Sequence, residues 1–242
     1  MAQSTPQRTV IVMPTYNERG CLAPMIEALR GLNMPGLSVL VVDDNSPDGT
    51  GLLADQIVQR DPEFVSVMHR PGKLGLGTAY KAGFRWALDH GAQRVMEMDA
   101  DFSHPVSAVP RMVEMAERCD FVLGSRFTGG ASVGERWGAG RRLLSWGGNA
   151  YSGWLTGVPA VDITGGFTCI RRQVLERIDL DSIKSEGFAF QVELKYLAHR
   201  QGFKICETPI HFAQRRDGKS KMSLKIMLEA FWRVVELRLR FR

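Results

Sequence analysis

The stretch Val95-Met96-Glu97-Met98-Asp99-Ala100-Asp101-Phe102-Ser103-His104-Pro105 reads as a buried strand that runs out into two carboxylates one residue apart. Alternate residues of a strand share a face, so Asp99 and Asp101 converge if the chain stays extended just past the strand end. Two acids held together repel, and a cation commonly offsets that cost. Oxygen ligands with positions left open suit Mg2+ or Mn2+, which substrate phosphates often complete. The same residues also fit a plain acidic turn, with Asp101 or Ser103 capping a helix after Pro105. The surrounding chain decides between these readings.

Upstream, short β-branched runs alternate with helical patterns. Thr9 to Met13 is an apolar run stopped by Pro14, and Leu22 to Leu32 has helical spacing up to Pro35-Gly36. Ser38 to Val42 is a second strand, Asp48-Gly49 a turn, and Thr50 a cap for a helix over Leu52 to Arg60. Phe64 to Met68 is a third strand, Gly75 to Thr78 opens a helix over Ala79 to His90, and Arg94 to Met98 is a fourth strand. This alternation predicts a parallel sheet with helices on both faces. Ligands bind such sheets beyond the carboxyl ends of the strands. Polar clusters stand at four of those ends: Pro14 to Glu18, Asp43-Asp44, Lys73, and Asp99-x-Asp101. Gly75-x-Gly77 follows the third strand and lacks the remaining glycine of a dinucleotide-binding fingerprint.

Downstream, a helix over Arg111 to Arg118 and a strand over Phe121 to Gly124 end the regular alternation. Arg126 and a Gly-rich loop over 129–140 precede a helix from Arg141 to Leu155. Arg141 and Ser145 lie four apart, hence on one face, among Leu143, Leu144, Trp146 and Trp154. Such a face suits a phosphate carried on an apolar tail, and equally a solvated helix with a Trp-rich packing side. A short strand over Phe167 to Ile170 and a helix from Gly187 to Arg200 follow, with Glu193 one turn in. Two edge strands flank Pro209. The basic loop Arg215 to Lys221 can close over a diphosphate, because Arg presents a fork to phosphate oxygens. Ser223 to Arg242 is amphipathic, the pattern of a helix lying in a membrane interface or of a terminal helix docked on the domain.

The 242 residues carry a net charge of +5. Nine of the cations and only three acids fall between Gln214 and Arg242, which points to an anionic partner such as phosphate or acidic lipid. Nucleic acid would explain that tail alone, but uncompensated carboxylates at the strand ends would repel its backbone. Cys21, Cys119, Cys169 and Cys206 are widely spaced, so reduced, buried thiols are expected. Met1 to Arg8 has no apolar signal core, and no run reaches the ~18 apolar residues that span a bilayer. A cytoplasmic protein, soluble or peripheral to a membrane, is expected.

Taken together, the motifs resemble glycosyltransferase family 2, and within it the dolichol-phosphate (polyprenol-phosphate) mannose synthases. The matching pieces are Pro14-Thr-Tyr-Asn-Glu18, Val42 to Thr50, Gly72-Lys-Leu-Gly-Leu-Gly77, Asp99 to Pro105 and Gly124-Ser-Arg126. Trp137-x-x-x-Arg141-x-x-x-Ser145, Asp162-x-Thr-Gly-Gly-Phe167 and Arg215-x-x-Gly-x-Ser-Lys221 complete them in family order. The resemblance implies an α/β GT-A fold over residues 1–222, with 223–242 as an added amphipathic helix. It implies a GDP-mannose donor, a polyprenyl monophosphate acceptor, the cytoplasmic membrane leaflet as the place of work, and room for a membrane-anchoring partner protein. Pro14, Tyr16, Glu18, Asp43 and Asp44 would hold the nucleoside. Asp99, Ala100 and Asp101 would face the metal and diphosphate, with Lys73, Arg215 and Lys221 on the phosphates. Arg126, Arg141 and Ser145 would bind the acceptor phosphate. Asp99, Asp101, Arg126 and Arg215 would thus carry catalysis. Some members place a Gln two residues after the second Asp as a metal ligand; this chain has Ser103 there, so the implied set for Mg2+ or Mn2+ is Asp99, Asp101 and Ser103.

The chemistry expected from that resemblance is one inverting displacement. The leaving diphosphate is stabilised electrostatically, and the acceptor phosphate is already anionic at neutral pH, so no strong base is needed. Two other readings stand beside it: transfer of glucose or another sugar from a UDP donor, and a catalytically silent nucleotide-binding subunit.

Overall fold

In a computed structural model of the chain, residues 7–134, 138–213 and 224–240 are described, without the side chains of Arg141 and of residues 224–230. Trp137, Arg215 and Lys221 lie outside the described residues.

Strand β1 (Thr9–Thr15) shows why the sheet is central. Ile11 and Met13 enter one apolar cluster while Val10 and Val12 enter another, so both faces of the strand are buried. Parallel strands covered on both sides carry this kind of continuous apolar run. β2 (Leu37–Asp43), β3 (Val65–His69) and β4 (Arg94–Glu97) join it in parallel. Their crossovers are α1 (Arg19–Arg30), α2 (Thr50–Arg60) and α3 (Leu76–Asp89). Helices α1 and α2 cover the Ile11 face, together with α4 (Val109–Met115). Helix α3 covers the other, pressed so close that a Cβ on Gly83 would collide with Val12. The cap of α2 differs from expectation: Asp48 Oδ1 accepts from the Thr50 amide at 2.9 Å, and the Thr50 hydroxyl serves Asp48 and the Glu18 amide instead.

The second half departs from a wholly parallel sheet. β5 (Phe121–Ser125) and β8 (Ile205–Pro209) run parallel, but β7 (Thr168–Arg171) lies antiparallel between β4 and β5. The strand order is β3-β2-β1-β4-β7-β5-β8. β6 (Ser132–Val133) and β9 (His211–Phe212) form a small second sheet. α6 (Arg172–Arg177) and α7 (Gly187–Arg200) join α3 on its face. The architecture is α/β: one twisted, mostly parallel seven-stranded sheet between helical layers, with α5 (Ala139–Thr156) and α8 (Leu224–Arg240) beside it.

Two further expectations change. Cys119 and Cys206 form a disulfide, and only Cys21 and Cys169 remain as buried thiols. The partners are 87 residues apart in sequence, and the β5–β8 pairing brings them together. The stripe of α8 is divided. Val234 and Leu237 are buried against Val158, Ile163, Val192 and Tyr196, while Phe231, Trp232 and Leu239 stay exposed. Arg240 anchors its end, donating to the Ser182 carbonyl at 3.0 Å and lying 3.6 Å from the buried Glu193. Glu193 also accepts from the Ser185 amide at 3.0 Å, the structural role open to a core carboxylate.

Candidate active site at the carboxyl edge of the sheet

The ends of β1 and β2 are laced together. Asp43 accepts from the Thr15 hydroxyl at 3.0 Å, the Ser46 hydroxyl at 2.6 Å and the Ser46 amide at 3.0 Å. The Ser46 hydroxyl accepts in turn from the Asn17 amide, and the Glu18 amide reaches Thr50. Asp43 thus shapes the loop, an assignment its place in the sequence did not reveal. Asp44 is buried 2.8 Å from the Arg70 guanidinium. Burial holds its carboxyl above the ordinary carboxylate range, against the pull of Arg70. Arg70 is a member of the site that sequence reading missed, because nothing local distinguishes it. Lys73, exposed after β3, sits 4.4 Å above the Tyr16 ring, a cation–π contact that brings two of the expected residues together. Pro14 is in β1 at the same edge, paired with Val42.

The acidic turn after β4 is built to hold its shape. The His104 Nδ1 accepts the Asp99 amide at 3.0 Å, and Asp101 accepts the Ser103 amide at 3.0 Å. His104 stacks on Phe167 with ring centroids 4.8 Å apart. Phe102 takes φ 63°, a backbone conformation that costs an L-residue about 1–2 kcal/mol. Ala100, Asp101 and Ser103 are buried. Burial first, then the charges of Asp99, Glu97 and Asp101 and a hydrogen bond to Asp99, push the ionisation of the Tyr80 hydroxyl far up. The buried Ser103 Oγ has no hydrogen-bond partner among the described residues.

No group of three His, Cys, Asp or Glu side chains is arranged for a metal among the described residues. The donor set nevertheless fits a hard cation. Two carboxylates and an orphaned buried hydroxyl supply oxygen alone, and leave positions for phosphate oxygens.

Beyond β5, Arg126 is held in place. Its Nε and Nη2 donate to the two Asp162 oxygens at 2.8 and 2.6 Å, its amide reaches Asp162 at 2.8 Å, and Nη2 also reaches Thr164 at 3.0 Å. Asp162 is fully buried, and its own amide donates to Glu207. The Thr164 amide donates to Asn149 of α5 at 2.9 Å. Ser145 lies one turn before Asn149, and its carbonyl accepts from the Asn149 side chain at 3.0 Å. The side chain of Arg141 lies outside the described residues; its backbone is in the first turn of α5. Arg126 opens onto a cleft of about 630 Å³ lined by Phe127, Val133, Arg142, Leu143 and Trp146. Arg142, which the sequence places on this helix beside Arg141 but not in the implied acceptor set, lines the cleft as well. Phe212 joins the cleft to the acidic turn, its ring 5.5 Å from the Arg126 guanidinium and 5.7 Å from His104.

Beneath both regions lies a buried polar chain. Glu97 accepts from Thr168 at 2.7 Å and from the Gln191 amide at 2.8 Å. Lys195 donates to the Gln191 side chain at 2.9 Å, its carbonyl at 3.2 Å and the Gly165 carbonyl at 2.7 Å. Burial raises the Glu97 carboxyl and lowers the Lys195 ammonium, and each charge opposes the shift of the other.

Residues 10–179 match the Glycosyl transferase family 2 domain. The chain belongs to glycosyltransferase family 2. Among curated proteins it is 45% identical to a polyprenol monophosphomannose synthase of Mycolicibacterium smegmatis, over 98% of this chain and 89% of the relative. It is 44% identical to an undecaprenyl-phosphate mannosyltransferase of Micrococcus luteus, over 92% of this chain and 90% of the relative. Among solved structures, the glucosyl-3-phosphoglycerate synthase of Mycobacterium tuberculosis with Mn2+, UDP and glucosyl-3-phosphoglycerate superposes with a TM-score of 0.67 at 17% identity, covering 97% of this chain and 79% of that one. A mannosyltransferase of Pyrobaculum calidifontis with GDP-Man and Mn2+ superposes with a TM-score of 0.59 at 17% identity, covering 98% and 74%. The fold of this glycosyltransferase is therefore GT-A.

Proposed function

We propose that this enzyme transfers mannose from GDP-mannose to a polyprenyl monophosphate, giving polyprenyl phosphate mannose and GDP with inversion at the anomeric carbon. One observation carries the reading: a cleft that joins two arginines to an apolar wall of Phe127, Val133, Leu143 and Trp146 is linked to the acidic turn through the rings of Phe212 and His104. An anionic head on a hydrocarbon tail matches that chemistry. The relatives named for polyprenyl-phosphate mannose synthesis support the same acceptor class.

In this reading Tyr16, Glu18 and Asp44 flank the nucleoside, with Pro14 and Asp43 shaping their loop. Lys73 faces the phosphates, joined by Arg215 and Lys221 from the basic loop. Asp99, Asp101 and Ser103 would hold Mg2+ or Mn2+, which when bound supplies Lewis-acid neutralisation of the leaving diphosphate. Arg126, Arg142, Arg141 and Ser145 orient the acceptor phosphate. Its oxygen attacks as an anion, so positioning supplies most of the catalysis. The described helices hold no apolar segment long enough to cross a membrane. We assign peripheral contact with the cytoplasmic leaflet to the exposed Leu143, Leu144, Trp146 and Trp154 of α5 and the Phe231-Trp232 face of α8. Residues 1–222 then act as the transferase domain and 223–242 as an interfacial addition.

Transfer of radiolabelled sugar to a short polyprenyl phosphate tests this, with GDP-mannose and UDP-glucose compared in Mg2+, Mn2+ or EDTA. Metal-dependent, β-linked mannose in the organic phase is expected. Glucose incorporation would overturn the donor, and an α-linked product would overturn the single displacement.

A further inference from the structure

The carboxylates of the acidic turn and the loop that grips Arg126 belong to different parts of the chain, on opposite sides of β7. The buried ammonium of Lys195 is linked to both. Lys195 is fully enclosed, and an ammonium has three hydrogens to place. All three acceptors are present: Gly165 O, Gln191 O and Gln191 Oε1. Gly165 is in the loop whose Asp162 clasps Arg126 and whose Thr164 is tied to α5. On the other side, the Gln191 amide has only one orientation that serves both neighbours. Its oxygen faces Lys195 and its nitrogen donates to Glu97. Glu97 is two residues before Asp99 and is held on β7 by Thr168.

Burying opposite charges is a poor source of stability, since desolvation offsets most of their attraction. A fully bonded buried polar chain can, however, fix relative geometry, because its donors and acceptors are committed. Helix α7 inserts both Gln191 and Lys195, one turn apart, into this gap.

We infer that Lys195 is a positioning residue: through Gln191 and Glu97 it sets the Asp162–Gly166 loop, and with it Arg126, at a fixed placement against the acidic turn. The inference rests on the transferase reading for its kinetic form. Neither Lys195 nor Gln191 touches substrate in this scheme.

The test uses Lys195→Met, which keeps the aliphatic stem, and Gln191→Met, which cuts the link while leaving Lys195 its two backbone carbonyls. Gln191→Met also serves if Lys195→Met fails to fold. In transfer assays each folded variant is expected to raise the KM for polyprenyl phosphate about tenfold and to lower kcat, with the KM for the nucleotide sugar within about twofold. A role confined to stability would lower the active fraction, and with it kcat, and leave both KM values in place. That result would overturn the inference. Hydrogen exchange provides a readout that stands apart from the transferase reading. The Arg126 amide, held by Asp162, and the Thr164 amide, held by Asn149, are expected to exchange faster in both variants, together with the Asp99 and Ser103 amides. Unchanged exchange at the acidic turn would refute the link even if no sugar transfer is ever detected. Absence of wild-type transfer with the expected exchange pattern would overturn the transferase reading alone.

Discussion

The loops ending β1 and β2 and the face of α5 stand at the same edge of one sheet, yet they are finished differently. At the first, polar groups are already spoken for. Asp43 has three donors and Asp44 lies against Arg70. On α5, Leu143, Leu144, Trp146 and Trp154 stay in water, the last 80% exposed. A preorganised polar loop loses little entropy when a ligand arrives, which favours a compact, strongly polar ligand. An uncovered apolar helix face gains only when something apolar covers it. The contrast fits the proposed function, in which the donor is water-soluble and the acceptor resides in lipid.

The largest expected effect breaks the polar side. Asp101→Ala removes one of the two acids and should lower transfer by at least about 10³-fold, on the several kcal/mol that a metal site contributes. Circular dichroism should show the fold retained, since a repulsion between carboxylates goes with it. Near-normal transfer in that variant would refute the metal assignment.

Next comes the hinge between the two regions. Asp162→Ala leaves the Arg126 guanidinium, whose side chain is 10% exposed, without its bidentate partner. Urea denaturation should register a loss of about 3–5 kcal/mol, the usual cost of breaking a buried pair. A loss under about 1 kcal/mol would mean that Arg126 finds another partner easily.

The smallest effect on stability sharpens the comparison most. The double variant Leu143→Ser, Trp146→Ser replaces two exposed side chains, so stability should stay within about 0.5 kcal/mol. Sedimentation with anionic liposomes and the acceptor KM should both worsen, while the nucleotide-sugar KM stays put. Unchanged values for all of these would leave α5 as a packing helix.

Much of the polar side was legible in the sequence because β-branched runs and strand-end acids are local signals. β2 to β4 lie within a residue of their expected bounds, β1 runs two residues past its expected end through Pro14, and the four polar clusters share one edge. Strand direction is not a local signal, which is why the reversal of β7 went unseen. Nor is partnership. Asp44 with Arg70, Arg126 with Asp162, and Cys119 with Cys206 each join distant stretches, and only the folded sheet brings them into contact. His104 was visible within its motif, but its hold on the Asp99 amide depends on a turn geometry that includes a left-handed Phe102.

The reversed strand has a consequence for how such an enzyme can change over time. The chain leaves the sheet at the end of β5 and returns at the start of β7, its neighbour, where the Gly124 amide meets the Phe167 carbonyl at 2.9 Å. The excursion therefore starts and finishes at one doorway. A different loop and helix could be spliced between those two posts without disturbing a single hydrogen bond between β1, β2 and β3. Under the proposed function, lineages could trade one acceptor for another as an exchangeable cassette while inheriting the sugar-nucleotide half unaltered.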